Sequence, residues 1–120
     1  MGRRLGVAEL DGIYVGYMSA AEGYSAVLFV LREGRMTGAD VGGGTYSGSY
    51  EVTDEGLLGT AIATMPPNSQ SITGAQVGAD GYTFSVPFQI RMAEIGRGYI
   101  VLDTPSGPVS AAINKLQELP

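Results

Sequence analysis

Tyr82-Thr83-Phe84-Ser85-Val86-Pro87-Phe88-Gln89-Ile90-Arg91 is the stretch on which the fold turns. Tyr82, Phe84, Val86, Phe88 and Ile90 occupy every second position, and Thr83, Ser85, Gln89 and Arg91 fill the places between them. A repeat of two puts one set against a core and the other in water, which is the pattern of a half-buried strand and not of a helix. Pro87 falls on the outer face. Having no N–H to give to a ladder, it marks an edge, a bulge or a seam.

The same alternation appears upstream, where Tyr46, Tyr50 and Val52 face in while Thr45, Ser47, Ser49 and Glu51 face out. Working outward from these two segments, strands are predicted over 12–19, 24–32, 35–40, 45–52, 57–65, 82–91, 99–103 and 109–116. The last is read as a strand because Val109, Ala111 and Ile113 alternate with Ser110, Ala112 and Asn114, although its composition also suits a short helix. Nineteen glycines, about twice the usual share of roughly 7%, punctuate these runs as turn residues do. At Glu33-Gly34 the glycine supplies the positive φ that a two-residue hairpin needs. Short connections pair each strand with its sequence neighbour. The prediction is an all-β fold in a single domain: an eight-stranded antiparallel up-and-down β-barrel, with residues 1–10 as a disordered N-terminus. Closure of such a sheet removes its exposed edges.

Two segments break the regularity. The connection 66–81 is long and offers only Ile72 and Val77 as sizeable apolar residues, so it is predicted to be mobile. Ala26-Val27-Leu28-Phe29-Val30-Leu31 is apolar throughout and shows no in–out alternation, so it is expected to be covered on both faces. A homodimer through Val27, Phe29 and Leu31 would supply the second cover.

Composition removes several functions. The chain has no cysteine and no histidine, so disulfides are impossible and the commonest transition-metal ligands are missing. Its net charge is −5, Lys115 is the sole lysine, and Arg3-Arg4 is the sole adjacent basic pair. A nucleic-acid surface needs clustered cations, so direct binding to DNA or RNA is not expected. No apolar run approaches the roughly 20 residues that cross a bilayer, and the N-terminus does not read as a signal peptide. The expected location is the cytoplasm, away from membranes.

Catalysis lacks its parts. A Ser–Lys dyad could use only Lys115, close to the end of the chain. The clustered carboxylates Glu51, Asp54 and Glu55 surround a predicted hairpin turn, where exposure denies them the raised pKa of a catalytic acid. Gly42-Gly43-Gly44 resembles a phosphate cradle only superficially, because a strand follows it and no lysine is near. No catalytic residue, cofactor or metal site is predicted, and the chain is read as a binding protein.

The aromatic residues raise the question of a ligand. Tyr46, Tyr50, Tyr82, Phe84 and Phe88 are expected to face the barrel interior, and Gly59, Ala61 and Ala63 would leave space opposite their rings. A barrel of eight strands either fills itself with side chains or holds one small molecule. Interdigitation of small with large residues tilts the expectation toward a filled interior, and a small apolar ligand is the alternative.

Three short motifs carry a resemblance. Asp11-Gly12-Ile13-Tyr14, Glu33-Gly34-Arg35-Met36-Thr37-Gly38-Ala39-Asp40 and Tyr46-Ser47-Gly48-Ser49-Tyr50 together resemble GrlR-type proteins, small negative regulators of type III secretion. In that family a strand opens on Gly-Ile-Tyr, a Gly-Gly-Asp follows a glycine turn, and an aromatic-x-Gly strand comes next. Gly38-Ala39-Asp40 departs from the second motif by one residue. The resemblance implies a lipocalin-like (calycin-like) barrel that dimerises, has an apolar interior, and sequesters a transcriptional activator through an acidic run. Glu51-Val52-Thr53-Asp54-Glu55 stands at the matching place, so Glu51, Asp54 and Glu55 are the implied partner-binding residues.

Overall fold

The computed structural model describes residues 7–120. Of the N-terminus predicted to be disordered, residues 1–6 lie outside the described residues. Val7–Leu10 form a short 3-10 helix whose last side chain, Leu10, is wholly buried. Eight strands follow: β1 (Gly12–Ala20), β2 (Gly23–Arg32), β3 (Arg35–Asp40), β4 (Thr45–Val52), β5 (Gly56–Met65), β6 (Tyr82–Arg91), β7 (Ile100–Thr104) and β8 (Gly107–Gln117). All pairings are antiparallel, and the sheet order is β6-β5-β4-β3-β2-β1-β8-β7. The expected up-and-down barrel is present, nearly closed. β1 joins β8 by a ladder, whereas β6 and β7 are the two ends of the sheet and meet as a seam. Pro87 lies in β6, where an end strand tolerates the missing donor.

Turn chemistry matches turn geometry at the β2–β3 hairpin. Glu33 and Gly34 both take positive φ, 50° and 82°, the backbone of a two-residue turn that follows the twist of its strands. The Glu33 amide donates to the Asp11 carboxylate at 3.0 Å, tying this turn to the start of β1.

The two ends of the barrel differ. At one end, the 3-10 helix and the turns after β2, β4 and β6 surround a core that includes Leu10, Tyr14, Leu31, Tyr50 and Leu57. The Tyr14 hydroxyl donates to the Leu10 carbonyl at 2.8 Å, and its ring stacks on Phe29 with centroids 5.3 Å apart. This end is plugged. The other end carries the turns after β1, β3 and β7 and the long connection after β5.

The β2 segment corrects one expectation. Register with β1 and β3 turns Val27, Phe29 and Leu31 toward the interior, where Phe29 and Leu31 are buried. They are wall residues of one subunit and are not free to form a dimer face. Alternation exists but is masked, because the outward positions Ala26, Leu28 and Val30 are apolar as well. Leu28 is 54% exposed.

Candidate functional site: an apolar cavity beneath a folded loop

Above the plugged end the interior is hollow. A cavity of about 510 Å³ runs between the strands to the open end, within the range of roughly 300–1,000 Å³ usual for small-molecule sites. Its walls take inward residues from all eight strands, Val27, Phe29, Phe84, Phe88, Ala111 and Ile113 among them. The interior expected to be filled is therefore open in its upper part. Ala61 and Ala63 are buried on β5, and Ala61 borders the cavity. Gly59 instead receives the edge of the Phe88 ring, so one of the three small residues is used for packing. A larger concavity of about 1130 Å³ lies along β3, β4 and β5, but it is an open groove in which charged and hydroxyl side chains alternate with apolar ones. The interior cavity is where apolar surface converges.

Of the five aromatic residues expected inside, Tyr46, Tyr82, Phe84 and Phe88 border the cavity. Tyr82 and Phe84 stack with centroids 5.3 Å apart at the open end of β6. Tyr50 faces inward too, but in the plug with Leu10 and Tyr14, so it belongs to the core and not to the cavity wall. Among the described residues no hydrogen bond of normal geometry reaches its buried hydroxyl. Burial raises its pKa above the ordinary phenol value, with the Gly34 backbone pulling weakly the other way.

Asp40 ends β3 on an inward position and borders the cavity near its mouth. Its Oδ1 accepts the amides of Gly42 and Gly44, both at 2.9 Å, and its Oδ2 accepts the Tyr46 hydroxyl at 2.6 Å. Two amides of the Gly42-Gly43-Gly44 turn are thus turned on a carboxylate of the same chain, and the third, that of Gly43, donates to the Asp40 backbone carbonyl at 3.1 Å. Gly44 is needed there, since an added Cβ would strike Asp40 and the Met65 methyl. Burial, then the bond to Asp40, then its charge hold the Tyr46 phenol far above its ordinary value. Asp40 is the residue that pattern reading passed over. Its signal was positional, a carboxylate in phase with Met36 and Gly38 on the inward face of β3.

The connection 66–81, predicted to be mobile, is a folded strap over the mouth. Gln70 and Gln76 form a bridge, Val77 donates its amide to Ser69 at 2.8 Å, and Ser71 accepts from Gly74 at 3.0 Å. The Glu22 amide in the β1–β2 turn donates to the Ile72 carbonyl at 2.8 Å, which anchors the strap across the opening. Val77 is buried, and Ile72, Ala75 and Val77 face the cavity.

Glu51, Asp54 and Glu55 are brought together at the β4–β5 turn, on the plugged end, opposite the mouth. All three are exposed, and Glu55 stands 3.6 Å from Arg91. Thr53 shapes the turn by accepting the amides of Glu55 and Gly56 at 3.3 and 3.1 Å. Among the described residues no group of three or more acidic side chains is placed to hold a metal ion. Nor is any helix among them long and apolar enough to cross a membrane.

No protein-family model, curated protein or solved structure matches this chain.

Proposed function

We propose that this barrel is a non-enzymatic binding protein that takes one small, largely apolar molecule into its interior. The observation that carries the reading is the cavity of about 510 Å³, apolar on its walls, plugged at one end and strapped at the other. An unfilled apolar volume forfeits packing that a ligand restores. The test is titration with a neutral environment-sensitive dye such as N-phenylnaphthylamine. Saturable binding at one dye per chain is expected in the parent protein. In Ala111→Leu, where the new side chain fills the space, binding weakens by about tenfold while the fold is kept. Absence of binding in the parent protein would sink the reading.

A second reading has its own observation. Glu51, Asp54 and Glu55 form one exposed acidic turn at the end opposite the mouth, free to meet a basic surface while the cavity is occupied. The resemblance to GrlR-type regulators makes a transcriptional activator the partner of choice, and complementary charge would steer that encounter. Replacing all three by alanine should abolish co-purification of a basic partner from the native host while the melting temperature holds. The homodimer belongs to this reading too, through the outward residues Tyr17, Leu28 and Val30 of β1 and β2.

A further inference from the structure

We propose that the cavity sorts amphiphiles by headgroup, accepting a single apolar chain that ends in a hydrogen-bond donor, best a protonated amine, and rejecting one that ends in a carboxylate. The proposal rests on the reading of the barrel as a ligand-binding protein and adds the chemistry of what it takes. The head sits at Asp40 near the mouth, and the tail runs down toward Phe88 and Ile113.

Asp40 is the sole charged side chain on the cavity wall, among the described residues. A carboxylate offers about four lone-pair sites. Gly42 and Gly44 use the two on Oδ1, and Tyr46 uses one on Oδ2, so one acceptor site on Oδ2 is left for a guest. Those three donors also fix the group in place. An ammonium or hydroxyl at that point completes the set. A carboxylate there meets a like charge beside an apolar wall, with no basic side chain on the cavity wall among the described residues to offset it.

The distribution of cations strengthens the argument. Arg32, Arg35, Arg91, Arg97 and Lys115, which are all the basic side chains among the described residues, lie at the plugged end of their strands or in its turns. Glu22, Asp40, Asp80 and Asp103 lie toward the mouth. A low-dielectric opening edged by one sign of charge concentrates ligands of the other sign.

Dye displacement by dodecylamine, dodecanol and dodecanoate, at low salt and below micelle formation, tests this on the full chain. Dodecylamine should displace the dye at a concentration about tenfold or more below dodecanoate, as a charge-assisted hydrogen bond implies, with dodecanol between them. Asp40→Asn keeps an oxygen for the Gly42 and Gly44 amides but removes the charge, and should bring amine and carboxylate close to parity. Tyr46→Phe frees a second lone pair on Oδ2 and should leave the amine preference intact or larger. In the parent protein the carboxyl-carbon NMR resonance of Asp40 should move on adding the amine, which gives a reading that does not depend on any variant. Equal affinity for amine and carboxylate would overturn the headgroup rule while leaving the barrel a ligand carrier. Amine preference unchanged in a folded Asp40→Asn protein would overturn the assignment to Asp40. If neither dye nor amphiphile binds, the ligand reading falls and takes the rule with it.

Discussion

Tyr14 joins the plug to the barrel wall, since its hydroxyl binds the Leu10 carbonyl while its ring lies on Phe29 and under Lys115. Tyr14→Phe keeps the ring but leaves a buried carbonyl unpartnered, and urea denaturation should show a loss of about 1–2 kcal/mol. The same residue sets an alkaline limit. Burial, then the neighbouring Tyr50, Glu118 and Asp11, push its pKa from 10.0 up to about 12. The folded state therefore holds the proton more tightly than the unfolded one. Its contribution is complete below pH 10 and is lost as pH rises through 12. The urea midpoint should fall across that window, and less steeply in Tyr14→Phe. Close backbone approach makes Gly48 a second sensitive point, because an added Cβ would run into the Thr60 carbonyl oxygen and the Ala61 Cα. Gly48→Ala should cost about 1–3 kcal/mol or more by the same assay. At this scale the sequence was read unevenly. Tyr46, Phe84 and Phe88 declared themselves by phase and apolar character together, whereas Asp40 had the inward phase alone, and its role depends on a glycine turn folding back onto it.

Elements were more legible than residues, and for a physical reason. Strand phase is a local property, so 35–40 and 45–52 could be read to the residue, and the choice of strand over helix for the last segment holds in β8. The strap over the mouth was not legible, because its order comes from backbone bonds within 69–77 and from Glu22 to Ile72, which leave little trace in side-chain pattern. Leu10 was lost in the same way, buried by contacts with residues distant in sequence. If the strap gates the cavity, loosening it changes rates before it changes stability. Ile72→Ser removes apolar contact with the Gly23 turn and with the cavity. Stopped-flow release of bound dye should accelerate severalfold, while the unfolding free energy moves by about 1 kcal/mol or less. An unchanged release rate would show that the guest leaves by another route.

The whole molecule presents an outer wall that is apolar on one side. Tyr17 of β1 and Leu28 of β2 are more than half exposed, and beside them Ile13 and Val30 are half-buried and Val15 is already covered. Patches of this kind mark interaction sites more often than they occur on isolated monomers. If a second copy covers this wall, Leu28→Lys should shift the sedimenting species from dimer to monomer at micromolar concentration without altering the melting temperature. A parent protein that already sediments as a monomer would refute the dimer. The hollow interior belongs to this scale too. Its volume depends on how rings from eight strands meet at one height, a sum over the assembled barrel that no single strand contains.

The seam between β6 and β7 gives that volume a property of its own. Where strands are laced by ladders, girth is fixed, and widening the tube means tearing backbone hydrogen bonds. Here no ladder joins the two ends of the sheet among the described residues, and Phe88 and Ile100 share the core on either side of the line. The barrel is a ring split along one line. If the barrel takes a guest, this line is where its bore can widen at the cost of apolar contacts while the ladders elsewhere stay whole.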